Sequence, residues 1–251
     1  MRMKRIETLA VIQARATSSR LPRKVLKEVN NRAILEWQIL RVLETKGVDR
    51  VVLATSVEES DDEVARIATK CGIQVIRGSL NNVFSRFVDA VNEFNPKTVI
   101  RVTGDCPLYM PELCELMLIE FKSRSVDYLS NTLEPSYPDG CDIEILQSKV
   151  FQKLESLPLT VDELEHVTLG VYKRPEIFEC VNFSNNRDDS AHRWTLDTKE
   201  DLDFIRQIYA QFANKESKFS YEDVFNFLNK NPSSARYDDG TMRNSGLRNV
   251  E

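Results

Sequence analysis

The chain has 251 residues, 41% of them hydrophobic, which is enough to bury a full core as one large domain or as one domain with a projecting subdomain. Its net charge of −5 speaks against a sequence-wide preference for nucleic acid or an anionic membrane, so any polyanion has to be met by a local cluster. The five cysteines are odd in number and scattered, without a C-x-x-C pair; no apolar run approaches the roughly 18–20 residues of a membrane span and no long apolar leader opens the chain, so a reducing cytoplasm is expected.

In chain order, the short apolar run Leu9 to Ile12 reads as a buried first strand that leads into a polar, basic loop. Ile34 to Leu43 has helical spacing, Gly47 closes a turn, and Arg50 to Ala54 is a second strand. Asp61 to Cys71 reads as an amphipathic helix stopped by Gly72, and Ile73 to Ile76 as a third strand. Val83 to Phe94 is again helical, and Thr98 to Val102 is a β-branched strand ending at Gly104-Asp105. Such alternation predicts an α/β fold, a mainly parallel sheet flanked by helices, with ligands at the carboxyl ends of the strands.

From about 131 to 186 the rhythm changes. Glu134-Pro-Ser-Tyr-Pro-Asp-Gly140 is turn chemistry, Cys141 to Leu146 alternates like an edge strand, and Ile177 to Phe183 is another apolar strand, so an inserted subdomain is expected here. The main sheet is expected to resume at Arg193-Trp194-Thr195-Leu196. A helix then begins near Thr198, whose Thr198-Lys-Glu-Asp201 has the form of a capping box. A last helix, about Ser220 to Asn229, closes a single domain over 1–230, and a loosely ordered polar tail is expected over 231–251.

The segment from Gln13 and Ala14 through Arg15, Ser18, Ser19, Arg20, Arg23 and Lys24 is dense in donors. A basic cluster alone is more often a solvated loop than a site. Here it follows a strand end, and guanidinium forks, a lysine point charge and hydroxyls all suit phosphate oxygens. It is not a P-loop, since G-x-x-x-x-G-K-[ST] is absent.

The string I-Q-A-R-A-T-S-S-R-L-P-R-K-V-L resembles the nucleotide-binding signature of the cytidylyltransferases that activate sugar acids, the acylneuraminate and 3-deoxy-manno-octulosonate cytidylyltransferases, and among them SpsF-like proteins. Four more blocks resemble that family in order: R-G-S-L-N-N-V-F-S-R-F at Arg77, R-V-T-G-D-C-P-L at Arg101, Y-P-D-G-C-D-I-E at Tyr137 and R-W-T-L-D-T at Arg193. The resemblance implies a Rossmann-like, GT-A-like nucleotidyltransferase sheet, and a homodimer formed through the inserted region. It implies that Arg15, Arg20 and Lys24 handle the triphosphate of CTP with Gln13, Ala14 and Ser19 beside them, that Asp105 and Asp197 hold Mg2+, and that Arg77, Ser79 and Arg86 lie near cytosine and ribose. Tyr137, Asp139, Asp142, Glu144, His166 and Arg193 are the expected acceptor contacts. Family members commonly carry glycine where Thr17 and Arg23 stand, and an acidic residue near Asn81-Asn82.

The implied reaction is in-line attack of an acceptor oxygen on the α-phosphorus of CTP, with pyrophosphate leaving. The acceptor ranges from a 2-keto sugar acid to a related polyol. Two other readings are open at this level. One is a glycosyltransferase that uses a sugar nucleotide, although Thr103-Gly-Asp105-Cys supplies one aspartate where D-x-D would supply two. The other is a nucleotide-sensing subunit without catalysis. His166 and His192 are the only histidines, which argues against a histidine-based metal site, and Trp37 and Trp194 read as core or pocket walls.

Overall fold

The structure, a computed structural model, describes residues 6–237. The elements in chain order are β1 (Thr8–Gln13), a hairpin of β2 (Glu28–Val29) and β3 (Arg32–Ala33), α1 (Ile34–Leu43), β4 (Arg50–Ser56), α2 (Asp62–Lys70), β5 (Gln74–Gly78), α3 (Val83–Phe94), β6 (Thr98–Thr103) and α4 (Pro111–Ser123). There follow β7 (Tyr128–Ser130), β8 (Glu144–Gln147), α5 (Lys149–Glu155), α6 (Val161–Glu165), α7 (Leu169–Tyr172), β9 (Cys180–Asn182), α8 (Lys199–Gln211) and α9 (Tyr221–Lys230). No helix among the described residues is long and apolar enough to cross a membrane.

One seven-stranded sheet runs β5-β4-β1-β6-β8-β7-β9. Strand β8 is antiparallel to both of its neighbours, and every other pairing in this sheet is parallel. The central strands read as continuous apolar runs because both of their faces are covered. Along β1, Ala10 and Ile12 enter the core under α1, α2, α4, α8 and α9, while Leu9 and Val11 enter the opposite core under α3, α5 and α7. The chain steps from β1 outward to β4 and β5, then crosses to the other side of β1 to form β6. That reversal opens a crevice at the carboxyl ends of β1 and β6, whose last residues, Gln13 and Thr103, lie in register.

Three expectations change. Strand β8 is interior, flanked by β6 and β7, whereas its alternation reads as an edge. Its polar Glu144 is 7% exposed and points at buried partners instead of solvent. Both β8 and β9, from the region expected as an inserted subdomain, are strands of the main sheet; what that region adds beyond the sheet is α5 to α7 on the α3 face. Residues 193–196 do not resume the sheet. They make one isolated parallel bridge, Asp139 to Arg193, and Trp194 packs on Tyr221 and Phe225.

The expected loose tail is partly held: the backbone N–H of Arg193 donates to the Arg236 carbonyl at 2.8 Å, and Tyr237 bridges to His192. The rest of the tail, 238–251, lies outside the described residues.

The bridge between 139 and 193 forces a close approach at Gly140, where φ is +104° and a Cβ would sit 2.4 Å from the Thr195 nitrogen. Gly140→Ala is expected to cost about 2 kcal/mol or more, a fall in Tm of roughly 4–8 °C for a chain of this size. Thermal unfolding followed by circular dichroism measures it; an unchanged Tm would show that the two segments part easily.

Candidate active site

A cleft of about 880 Å3 opens over the carboxyl ends of β1 and β6. The two strand ends meet there without side-chain bulk. The Gly104 N–H donates to the Gln13 carbonyl at 2.7 Å, and a Cβ on Gly104 would lie 2.8 Å from that of Ala14. The basic loop leaves from this contact, and Asp61 fixes its course. That buried carboxylate accepts the Ala16 N–H at 2.7 Å and the Ser56 N–H at 3.2 Å, tying the loop to the end of β4. Further on, Arg23 takes φ 57°, a left-handed conformation that glycine adopts freely and that costs other residues roughly 1–2 kcal/mol. Its N–H bonds the Ala16 carbonyl at 3.1 Å and its guanidinium pairs with Glu63. The glycine that the resemblance implies at this position would meet this demand of the backbone, and here an arginine follows the same path.

That path carries Lys24 to the floor of the cleft. Its Nζ lies 3.1 Å from Asp105 Oδ2 and 2.8 Å from Asp197 Oδ1, and Arg20 Nη2 reaches the same Asp197 oxygen at 3.0 Å. Burial pushes the Lys24 ammonium down, but the two aspartates outweigh it and the net shift is upward, so Lys24 is a fixed cation. Burial likewise pushes Asp105 up, yet Lys24 and the Thr103 hydroxyl hold it at about 2. Asp197 arrives on a third segment, which docks on the same turn: the Leu196 N–H and the Thr195 hydroxyl donate to the Asp105 carbonyl at 2.9 and 3.1 Å.

These two carboxylates fit a divalent cation, because one ammonium already bridges them and a single cation can therefore face both. No group of three or more His, Cys, Asp or Glu among the described residues could hold a metal ion. A hard cation bound here takes its remaining oxygens from phosphate and water.

The other expected residues divide. Gln13, Ala14, Arg15, Ser19, Arg86, Asp139, Asp142, Glu144, His166 and Arg193 all line the cleft. Arg15 spans it to Glu165 at 3.2 Å. Glu144 is an internal hub, paired with Arg101 and accepting from the Tyr128 and Thr168 hydroxyls, each at 2.6 Å. Arg193 sits behind Asp197 in a nest of carboxylates. His166 is held below its ordinary value, first by burial and also by Arg101 and Arg15 despite Glu165.

Three residues do not reach the cleft. Arg77 turns to the Ser56 and Glu58 carbonyls at 2.8 and 3.0 Å and to Asp62 at 2.7 Å. Ser79 accepts the Asn82 N–H at 3.1 Å as a turn residue. Tyr137 stacks on Phe183 in the core.

Asp61, Arg101, Glu165 and Asp201 also shape the site, and none of them is assigned a site role from sequence. Arg101 and Thr103 had a signal, since they alternate along β6 toward Asp105. Asp61 had none, because an aspartate before a helix reads as a cap.

The geometry is that of a cationic loop facing two carboxylates across a nucleotide-sized cleft, and the family model described as cytidylyltransferase matches residues 9–224. The chain belongs to the cytidylyltransferase family. It is 32% identical over 236 residues to the spore coat polysaccharide biosynthesis protein SpsF of Bacillus subtilis (strain 168), covering 91% of this chain and 97% of that protein. It is also similar to a cytidylyltransferase from Leptospira borgpetersenii serovar Hardjo-bovis (strain JB197), with a TM-score of 0.88 and 33% identity over 93% of this chain and 98% of that one. A CMP:2-keto-3-deoxy-manno-octonic acid synthetase solved with CTP shares the fold, with a TM-score of 0.65 at 20% identity over 82% of this chain and 99% of that one. As a cytidylyltransferase the chain is a nucleotidyltransferase, and the glycosyltransferase and non-catalytic readings give way to that.

In this cytidylyltransferase the depressed Asp105 sets a pH dependence. Its folded value, about 2, lies below its ordinary 3.8, so it adds stability above pH 3.8 that is lost as pH falls toward 2. The side chain keeps 34% of its surface open to the cleft, so solvent screens part of this effect. The Tm difference between wild type and Asp105→Asn is expected to be constant above pH 3.8 and to shrink below it. A difference that persists through that window in a pH series of thermal melts would place the stabilisation elsewhere.

Proposed function

We propose that this cytidylyltransferase transfers CMP from CTP to a hydroxyl of an acidic sugar, a 2-keto sugar acid, or of a related polyol, in surface polysaccharide or glycan biosynthesis. The observation that carries the reading is the convergence of Arg20, Lys24, Asp105 and Asp197, drawn from three segments, at one end of the cleft. The SpsF relative, named for spore coat polysaccharide, and the fold shared with a CTP-bound sugar-acid synthetase support the substrate pair.

In the proposed reaction the acceptor oxygen bonds to the α-phosphorus as the bond from that phosphorus to the bridging oxygen of the β-phosphate breaks. Pyrophosphate leaves, and the acceptor proton passes to a carboxylate or to water. Asp105 and Asp197 would hold a magnesium ion, which neutralises phosphate charge when bound. Arg15, Arg20 and Lys24 bind the triphosphate and stabilise the charge that collects on pyrophosphate. Asp139, Asp142 and His166 line the cleft and would contact the acceptor. The chain acts as a homodimer in this reading. Sedimentation velocity is expected to give a dimer, and a monomer at every concentration overturns that part alone.

Thermal shift with CTP, UTP, ATP and UDP-sugars, each with magnesium, tests the nucleotide. Selective stabilisation by CTP is expected, reaching about 2.7 kcal/mol at a hundred times Kd, whereas a response to UDP-sugars alone restores the glycosyltransferase reading. Asp105→Asn is expected to abolish pyrophosphate release while keeping the fold.

Arg86 gives a sharper test of the nucleoside end. It is 1% exposed, its Nε and Nη1 have no hydrogen-bond partner among the described residues, and burial lowers it to about 10. Arg86 is among the residues that line the cleft, and a buried cation left this way has spare donors suited to the oxygens of cytosine or ribose. Arg86→Met is expected to leave the ligand-free Tm at or above that of wild type, while CTP affinity falls roughly tenfold or more. Retained CTP affinity would assign Arg86 to the scaffold.

A further inference from the structure

Arg193 is placed among the acceptor contacts by resemblance, but its surroundings point to a different task. Its side chain is 2% exposed and its guanidinium is spent on carboxylates. Nη1 donates to Asp139 Oδ2 at 3.0 Å, Nη2 to Asp197 Oδ2 at 3.2 Å and to Asp201 Oδ2 at 3.1 Å, and Nε to Asp201 Oδ1 at 3.0 Å. Asp197 is thereby divided between two roles. Its Oδ2 is held from behind by Arg193, and its Oδ1 faces Lys24 and Arg20 in the cleft.

Asp201 fixes the backbone of the same residue. Fully buried at the start of α8, it accepts the Asp197 N–H at 2.9 Å and the Thr198 N–H at 3.0 Å, the latter as half of a capping box. So a single carboxylate orients both the main chain of Asp197 and the arginine that holds its side chain.

The network is closed from beyond α9. Arg236 Nε donates to Asp201 Oδ1 at 3.3 Å, and the Arg236 carbonyl accepts the Arg193 N–H at 2.8 Å. The next residue, Tyr237, lays its ring 4.8 Å from that of His192. Three carboxylates, Asp139, Asp197 and Asp201, surround one guanidinium, and Arg236 brings a second positive charge against them. A carboxylate with one oxygen fixed and its main chain fixed can offer the other oxygen in one direction only, which is what a cation ligand requires.

We propose that Arg193 and Arg236 are positioning residues for Asp197, and that residues 236–237 after the last helix are therefore part of the divalent-cation site. The proposal rests on the reading of Asp197 as a cation ligand. It assigns Arg193 to the cation end of the cleft and not to acceptor recognition.

The test is a Mn2+ titration of the full chain in the presence of CTP, read by the electron paramagnetic resonance signal of free Mn2+, together with CTP affinity measured in EDTA. Arg236→Gln is expected to weaken Mn2+ binding roughly tenfold, the usual effect of losing a residue that orients a ligand, while CTP affinity in EDTA stays at the wild-type value. Arg193→Lys, which keeps a charge but cannot bridge the three aspartates, is expected to weaken Mn2+ binding at least as much. Wild-type Mn2+ affinity in folded Arg236→Gln overturns the proposal. So does an equal loss of CTP affinity with and without metal, which marks a merely structural defect. If the wild-type chain with CTP takes up no Mn2+, the reading of Asp197 as a cation ligand fails as well.

Discussion

The close approach of two strand ends governs the site. Because Gly104 has no side chain, the turn after β6 can press against Ala14 at the end of β1, bonding the Gln13 carbonyl at 2.7 Å. The basic loop therefore departs within reach of Asp105. The third segment then docks on this turn through the carbonyl of Asp105 itself, which accepts from Leu196 and Thr195. Asp105 and Asp197 are 92 positions apart by their numbers, yet they face one lysine because main-chain bonds set their backbones first. Side-chain geometry in the cleft is inherited from these contacts, and so even small bulk at position 104 would spread the aspartates.

Much of the sheet was legible because its central strands are covered on both faces, and covered strands declare themselves as β-branched runs between helices of regular spacing. Helices α1 and α3 have the limits that their apolar spacing indicates. Strand β8 departs from its sequence pattern for a physical reason. Its alternation of Ile and Glu looks like an edge facing water, but Glu144 is buried against Arg101, Tyr128 and Thr168, and an internal ion pair leaves the same pattern as solvent. Residues 193–196 were misread in the opposite sense. Trp194 and Leu196 are fully buried, but what covers Trp194 is a set of aromatic rings that includes two from α9, and sequence cannot separate that from burial in a sheet.

Legibility of the site followed the same division. Lys24, Asp105 and Asp197, which the structure brings together, all stand in the motifs themselves. Residues whose roles depend on direction were not. Arg77, Ser79 and Arg86 belong to one block, yet Arg77 leaves β5 toward Asp62 and Arg86 projects from α3 into the cleft. Spacing along a block does not encode which way a strand end and the following helix turn their side chains. Asp201 was legible as a cap and not as a brace, since its second function arises only when Arg193 and Arg236 come to rest on it.

The pairing of charges in the cleft explains how a chain with net charge −5 can receive a polyanion. Arg15 rests on Glu165, Arg20 on Asp197, Lys24 on Asp105 and Asp197, Arg101 on Glu144, and Arg193 on its three aspartates. The cations are thus kept in place by carboxylates and do not crowd one another. The pairs differ in how easily they open. Arg15 and Glu165 are each about two-fifths exposed, and such a pair is worth well under about 1 kcal/mol, so a phosphate can take the arginine at little cost. Lys24 and Asp197 are far more enclosed, at 13% and 10% exposure, and drawing the ammonium away would take from Asp105 the cation it faces and leave Asp197 to Arg20 and Arg193. In the proposed reading, a triphosphate that engages Lys24 would bring a divalent cation on its phosphates to replace the charge that Asp105 loses. In that reading the lysine and the cation would be alternatives at these carboxylates, and nucleotide binding would be coupled to cation binding.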